Sequence, residues 1–455
     1  MSDHSPALDE IRACLEGTIP GVMATCADDG TPNVTYVSQV EYVDPKHVAL
    51  SFQFFSKTRR NVLANPVAEL LVVHPQHGAM YRIGARYLRT ETEGPVFERM
   101  KAKLAGIASH EGMSAVFRLR GADLYAVERI DQVARPRLDL VPPPPSRLPM
   151  LRRAALRVAE AADFDGLVER LLDAVAQEFG IGHAMLLIRE AGSERLYTVA
   201  GRGYGHSGAG AEIAFGDGVI GVAARMGTPI RINHATLEYT YARTARAGVA
   251  GHLLGREIPL PGLAEPGSQL AVPLACAGRL HGVLFVESPQ ELRFDWDDED
   301  ALLALATQAA AQMGALACAA HADDTADTDE AAAPAAPAAA RPAAAPRPPL
   351  RVRHYAADDS VFLDDDYLIK GVAGAVLWKL LRDHAETGRT EFSNRELRLA
   401  PDIRLPEVGD NLEARLVLLT RRLVDREAAV RLEKTGRGRF RLCLQRPLEL
   451  SHVPR

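Results

Sequence analysis

Residues 51–66, SFQFFSKTRRNVLANP, join an apolar run to a short basic stretch that an Asn-Pro pair ends. The apolar half predicts a strand, and Ser56 is a typical N-cap for a helix that stops before the proline. Lys57, Arg59 and Arg60 then fall in the first turn of that helix. A helix N-terminus presents free N–H groups and a partial positive charge. The stretch therefore predicts a phosphate-binding corner; the alternative is a solvated surface helix.

Length and composition place limits on the rest of the chain. The 455 residues suffice for about three domains. A formal net charge of −6 argues against a protein that coats nucleic acid, although a local basic patch remains compatible with it. The five scattered cysteines form no C-x-x-C pair. No apolar run reaches the roughly 18 residues of a membrane span, and no signal peptide is evident, so we expect a cytosolic protein without membrane contact.

Composition and periodicity divide the chain into a multidomain arrangement. Residues 8–135 alternate short β-rich runs with turns, which predicts an antiparallel meander closed into a small barrel. Residues 150–318 predict an α+β unit with one long initial helix, antiparallel strands, long central loops and a closing helix. Residues 319–349 are rich in Ala and Pro and predict a mobile tether. Residues 350–446 predict a hairpin, two helices and a final hairpin, the order of a winged helix.

The first block resembles the pyridoxamine 5′-phosphate oxidase-like split barrel, a family of dimeric barrels that mostly bind flavin mononucleotide (FMN). The likeness is strongest where FFSKTRRN…NP follows the strand HVALSF. It implies that Lys57, with Arg59 or Arg60, holds the FMN phosphate in a homodimer. The chain has no counterpart of the oxidase's C-terminal arginine-rich segment, so vitamin B6 synthesis is not expected. The other residues that the resemblance places at the cofactor are Ser56, Val37, Ser38, Phe52 and Gln53.

The second block resembles a GAF domain, a small-molecule sensing module. The similar features are GDGVIGVAARMGTPIRI, the strand pair QLAVPL…GRLHGVLFVES and the helix after FDWDDEDALLALA. The GAF fold does not determine which small molecule is bound, so the ligand stays unknown. A G-x-G-x-x-G match beginning at Gly203 is not followed by a helix and predicts a flexible loop. Polar loop residues either line a ligand pocket or have no such role; they are Tyr204, His206, Asn233, His234, Tyr239 and Tyr241.

The third block resembles the winged helix of response-regulator type transcription factors. The resemblance places 411–423 in the DNA major groove and 434–439 in the wing. The alternative is a charged, exposed hairpin that binds nothing. The residues that we expect to contact DNA are Arg415, Arg421, Arg422, Lys434, Arg437 and Arg439.

These patterns lead to one main functional hypothesis and two alternatives. The main one is a cytosolic, dimeric transcription regulator in which an FMN barrel and a GAF sensor control DNA binding through proximity along the tether. The alternatives are an FMN-dependent oxidoreductase and a protein-interaction scaffold. No catalytic set of nucleophile, base and orienting group stands out. His74 and His77 in HPQH are read as turn residues rather than as metal ligands.

Overall fold

The computed structural model describes residues 5–15, 19–37, 40–52, 57–110, 119–136, 146–190, 192–233, 258–326, 348–403, 412–436 and 438–454. The first unit begins with a 3₁₀ helix, Leu8–Leu15. Its other elements are β1 (Gly21–Cys26), β2 (Pro32–Val37), β3 (Val40–Asp44), β4 (His47–Phe52), α1 (Lys57–Ala64), β5 (Val67–Val73), β6 (Met80–Glu91), α2 (Pro95–His110) and β7 (Gly121–Ala134).

The strands of this unit form a seven-stranded, barrel-like antiparallel sheet in the order β2-β1-β5-β6-β7-β4-β3. The predicted meander of the first strands is wrong, because β1 pairs with β5 as well as with β2 and because β4 pairs with β7. The run 34–43, predicted as one strand, forms β2 and β3, which stand at opposite ends of the order. Leu50 of β4 lies opposite Asp123 of β7, so this pairing brings Asp123 beside α1.

The second unit is built around a six-stranded sheet in the order β10-β9-β8-β13-β12-β11. The predicted single initial helix is two helices, because the Asp163 side chain accepts a hydrogen bond from Gly166 N at 2.8 Å and starts a new one. A central helix, α5, lies where only loops were expected. The elements are α3 (Leu148–Ala159), α4 (Phe164–Phe179), β8 (His183–Arg189), β9 (Arg195–Arg202), β10 (Glu212–Ala214), α5 (Gly218–Met226), β11 (Ile230–Ile232), β12 (Ser268–Cys276), β13 (Arg279–Ser288) and α6 (Trp296–Ala326).

Helix α6 continues past residue 319, the predicted start of the tether. Residues 327–347 of that tether lie outside the described part of the chain. Residues Trp296–Ala319 have the length and hydropathy of a candidate membrane span. A single such helix is weak evidence, since Leu302, Leu305 and Ala309 are buried in the core of the second unit and core helices pass the same test.

The third unit has a four-stranded sheet in the order β16-β15-β14-β20 and a three-stranded sheet in the order β17-β19-β18. Helix α8 was not predicted. The signal for it was a capping box, in which Ser393 Oγ accepts from Glu396 N at 3.3 Å and Glu396 Oε2 accepts from Ser393 N at 3.0 Å. The elements are β14 (Leu350–Tyr355), β15 (Ser360–Leu363), β16 (Asp366–Ile369), α7 (Gly371–Thr387), β17 (Glu391–Ser393), α8 (Asn394–Leu399), α9 (Leu412–Asp425), β18 (Val430–Gly436), β19 (Arg439–Leu444) and β20 (Leu448–Val453).

The second unit packs against the first and against the third. One apolar cluster contains Leu171 and Leu172 of α4 together with Leu418 and Leu419 of α9. The expectation that the tether couples the second and third units through proximity alone is therefore wrong, because they share a core. Between the first and second units, Ala102 of α2 lies in a second cluster with residues of α5.

The Trp296 ring marks the junction of the first and second units. Three cations lie against its ring system: Arg12 at 4.2 Å from the centroid, Lys103 at 4.4 Å and Arg231 at 4.6 Å. Arg12 and Lys103 belong to the first unit, whereas Arg231 and Trp296 belong to the second. Cation–π contacts of this kind stabilise an interface by about 0.5–2 kcal/mol each.

Two glycine substitutions in the second unit test its packing. A Cβ on Gly221 of α5 would overlap the carbonyl oxygen of Ala214, whereas a Cβ on Gly314 of α6 meets nothing within 4 Å. We expect Gly221→Ala to lower the free energy of unfolding by about 1–3 kcal/mol through overpacking. We expect Gly314→Ala to raise it by about 0.5–1 kcal/mol through helix propensity. Urea unfolding followed by circular dichroism checks both, and a Gly221→Ala variant as stable as the parent would contradict the packing of α5.

Candidate functional sites

The three cations at the start of α1 have different surroundings. Lys57 and Arg60 are exposed, whereas the Arg59 side chain is only 17% exposed. Arg59 Nη1 donates to Asp123 Oδ1 at 2.5 Å, and its Nη2 donates to Thr90 Oγ1 at 2.9 Å. Thr90 Oγ1 also donates to Asp123 Oδ1 at 2.5 Å. Arg59 therefore fastens α1 to β6 and β7, and the exposed charge of the corner comes from Lys57 and Arg60.

An apolar surface adjoins this corner. On strand β2, at one end of the sheet order, Val34 is 67% exposed and Tyr36 is 79% exposed. Strand β2 is joined to α1 where Asn33 Nδ2 donates to Thr58 Oγ1 at 2.8 Å. Neither Lys57 nor Arg60 forms an ion pair with another residue in the described part of the chain. The corner thus combines two accessible cations with an uncovered apolar edge.

The remaining residues predicted at the cofactor are less informative. Val37 is buried in the barrel core, so its side chain faces away from any surface ligand. Phe52 is the last residue of β4. Ser38, Gln53 and Ser56 lie outside the described residues. Their contacts with a cofactor stay predictions.

His74 and His77 form a stacked pair in a turn. Their ring centroids are 3.5 Å apart with planes at 10°. His74 Nδ1 accepts from Gln76 N and His77 Nδ1 accepts from Ala79 N, each at 3.3 Å. Among the described residues, no group of three or more His, Cys, Asp or Glu side chains converges as a metal site would require. Burial, then the neighbouring His77, lowers the pKa of His74 to about 4.

In the second unit, Tyr204 lies beside a buried carboxylate that the sequence interpretation missed. Glu287 of β13 accepts from Leu263 N at 2.7 Å and from Gln269 Nε2 at 3.2 Å. Burial first, and then the charge of Glu287, raises the pKa of the buried Tyr204 hydroxyl. The ring of His183 is 5.5 Å from that of Tyr204. In the sequence, this buried carboxylate is indicated by one charged residue, Glu287, inside the apolar run VLFVES.

The other predicted GAF residues are placed differently. His206 is exposed, and Asn233 Nδ2 donates to the Phe294 carbonyl at 2.7 Å, a link between the end of β11 and the start of α6. His234, Tyr239 and Tyr241 lie outside the described residues.

The predicted flexible glycine loop is a tightly packed turn. Gly203 and Gly208 have φ of +85° and +65°. A Cβ on Gly203 would overlap the Gly182 carbonyl, and one on Gly208 would overlap the Pro261 ring. The glycines are needed for close approach, not for motion.

In the third unit, the cations predicted to contact DNA from α9 all contact protein. Arg415 is only 4% exposed, and its guanidinium lies 4.2 Å from the ring centroid of Tyr197. Arg421 Nη2 donates to Asp165 Oδ1 at 2.7 Å and to Glu169 Oε1 at 2.6 Å. A third arginine of the helix, Arg422, donates through Nε to the Leu368 carbonyl at 2.9 Å.

The hairpin β18–β19 carries the remaining predicted contacts. Lys434 pairs with Asp163, and Arg439 is exposed. Arg437 lies outside the described residues. A cavity of about 470 Å³ remains where this hairpin and α9 face α4. Its apolar wall includes Leu416, Val417 and Phe440.

Comparison with known proteins identifies two of the three units. Residues 7–128 match the family described as "Pyridoxamine 5′-phosphate oxidase", and residues 161–313 match the GAF domain family. No curated protein matches the chain. The chain therefore contains a pyridoxamine 5′-phosphate oxidase-like domain followed by a GAF domain. The predictions for these two units are confirmed at that level, whereas neither match reaches the third unit.

Three similar solved structures each cover a single unit. An FMN-binding protein from Syntrophomonas wolfei subsp. wolfei has 17% identity and TM-score 0.24, over 28% of this chain and 92% of its own. The GAF domain of an Acinetobacter phosphoenolpyruvate-protein phosphotransferase has 19% identity and TM-score 0.31, over 39% and 95%. The free methionine-R-sulfoxide reductase of Neisseria meningitidis, in complex with its substrate, has 22% identity and TM-score 0.30, over 37% and 89%.

Two substitutions test the different roles of the cations in α1. Asp123→Asn removes the charged partner of the mostly buried Arg59, and we expect it to lower the free energy of unfolding by about 1–3 kcal/mol. Arg60→Gln alters an exposed side chain and should change that free energy by less than about 0.5 kcal/mol. Urea unfolding measures both. Equal stability of the Asp123→Asn protein and the parent would show that Arg59 is not a structural residue.

The His74 pKa gives a pH prediction. In the folded protein this pKa is about 4, below the ordinary value of 6.5, so the unfolded chain binds the proton more readily. The contribution of neutral His74 to stability is present above about pH 6.5 and is lost as the pH falls towards 4. We expect His74→Gln to flatten the fall in unfolding free energy over that window, measured by urea unfolding at several pH values. His206→Gln controls for loss of a histidine, and an unchanged slope in His74→Gln would refute the assignment.

Proposed function

We propose that this chain is a cytosolic, homodimeric regulator in which an FMN-binding barrel and a ligand-sensing GAF domain control a DNA-binding winged helix. The observation that carries the proposal is the pair of exposed cations at the start of α1, beside the uncovered apolar edge strand β2. The family match of residues 7–128 supports the same assignment.

The corner fits the phosphate of FMN. Lys57 and Arg60 project from the first turn of an eight-residue helix, whose free N–H groups also favour an anion. Arg59 is already engaged by Asp123 and Thr90, which favours Arg60 as the partner of Lys57. Arg59 then holds the start of α1 against β6 and β7. When bound, FMN would supply a redox-active, light-absorbing isoalloxazine ring.

The exposed edge supports the homodimer. An uncovered edge strand with large apolar side chains is normally protected in a native protein, because it otherwise recruits other chains. Val34 and Tyr36 give β2 such an edge. A partner subunit of the same kind would cover this edge and close the flavin site, as the family resemblance implies.

The third unit supports a DNA-binding output through its order of elements. A β-sheet is followed by α7, α8 and α9 and then by the hairpin β18–β19, which is the order of the response-regulator type winged helix. By this resemblance, helix α9 would be the helix that enters the major groove. Arg421 of this helix, with Lys434 and Arg439 of the hairpin, would meet phosphates or base edges.

The flavin proposal predicts a phosphate-dependent affinity. We expect the parent protein to bind FMN more tightly than riboflavin, which lacks the phosphate, and Lys57→Gln/Arg60→Gln to remove most of that difference. The expected loss is tenfold or more in FMN affinity, since each charged hydrogen bond contributes about 1.5–3 kcal/mol. Quenching of flavin fluorescence on titration measures both affinities.

Lys101→Gln, on α2 of the same unit, is the matched control because it removes an exposed lysine away from the corner. Equal affinity for FMN and riboflavin in the parent protein would reject the phosphate site. Oxidation of reduced nicotinamide cofactors by the FMN-loaded protein would instead favour the oxidoreductase.

A further inference from the structure

Helix α9 and the hairpin that follows it meet a row of carboxylates at the start of α4. Asp165 and Glu169, in the first two turns of α4, both accept hydrogen bonds from Arg421. Asp163, which caps the same helix, pairs with Lys434 of the hairpin. Acidic side chains are favourable at a helix N-terminus, so α4 can concentrate them there at little cost.

The contact joins a mostly covered arginine to carboxylates that stay about half exposed, Asp165 at 58% and Glu169 at 50%. The Arg421 side chain is 19% exposed, and Arg415, six residues earlier on α9, is enclosed against Tyr197 of β9. Leu418 lies between them in sequence and belongs to the apolar cluster that also contains α4 residues. Exposed ion pairs alone contribute about 0–1 kcal/mol each. The packed Arg415 and Leu418 therefore add to the stability of the arrangement.

We infer that α4 occupies, within the same chain, the surface of α9 and its hairpin that would otherwise contact DNA phosphates, so that the arrangement described here is a closed form. The inference rests on the proposed DNA-binding function of the third unit. Carboxylates and phosphates compete for the same guanidinium and ammonium groups. A duplex cannot lie along α9 while α4 covers it, so DNA binding requires the second and third units to separate.

The closed form makes DNA affinity depend on the second unit. By linkage, any change that weakens the α4–α9 contact raises the apparent affinity for DNA, and DNA weakens the contact equally. The GAF domain supplies α4 and β9, so a ligand that repositions either element would change the output directly.

The test uses the full chain with Asp165→Asn/Glu169→Gln. Asp163 is left intact because it caps α4. The matched control is Glu160→Gln/Asp173→Asn, which makes the same change in net charge; its partners, Arg170 and Arg202, belong to the second unit. Binding of a fluorescein-labelled duplex of mixed sequence is measured by anisotropy at several salt concentrations.

We expect the α4 variant to bind the duplex at least about tenfold more tightly than the parent or the control, within the usual range of coupling between sites. The slope of log affinity against log salt should steepen by about 1, because the variant frees Arg421 for a phosphate contact at roughly 0.9 per contact, whereas Lys434 keeps its partner Asp163. Adding Arg421→Gln to the variant should remove much of the gain.

Two other outcomes overturn the inference in different ways. If the parent, control and α4 variant bind the duplex with equal affinity and salt dependence, α4 does not block the site, and the DNA-binding function stands. If none of them binds duplex DNA at low salt, the proposed function of the third unit fails and the closed form fails with it. Hydrogen exchange of the α9 amides, faster in the α4 variant alone, would separately support the opening of the contact.

Discussion

Helix α9 is packed from two directions, and the relation between the second and third units depends on this. Within its own unit it contacts α7 and β18, and across the unit boundary it contacts α4 and β9. Its buried residues include Arg415 as well as leucines. A mostly apolar helix with a buried arginine needs an aromatic or acidic partner, and Tyr197 of the GAF domain provides the aromatic one. The GAF domain and the third unit are therefore joined by side-chain packing.

The first unit shows a related use of a buried arginine. Arg59 and Asp123 are 64 residues apart, and their ion pair forms because β7 returns to pair with β4. This leaves Lys57 and Arg60 accessible on the same helix turn. The corner thus separates the cation that holds the fold from the cations that can hold a ligand.

Much of the local structure follows from the sequence. Alternating apolar residues predict most strands of the first two units, and the motif SFQFFSKTRRNVLANP correctly predicts a strand followed by helix α1. Long-range pairing is less accessible: nothing local distinguishes β5 from β7 as the partner of β4. The capping box at Ser393 is a local signal for helix α8, whereas the Arg421–Asp165 contact joins residues 256 positions apart. The sequence therefore indicates which residues are charged, but not whether each charged side chain pairs with another residue of the same chain.

The two tryptophans of the chain occupy separate places in this architecture. Trp296 lies among cations from two units, and Trp378 of the third unit stacks on His354 with ring centroids 4.8 Å apart and planes at 10°. Positive charge and imidazole groups both alter indole emission, so the two rings have distinct electrostatic surroundings. Replacing either one with Phe leaves a single tryptophan, which reports on the junction of the first two units or on the interior of the third. The protein thus carries its own optical probe for each region, without an attached dye.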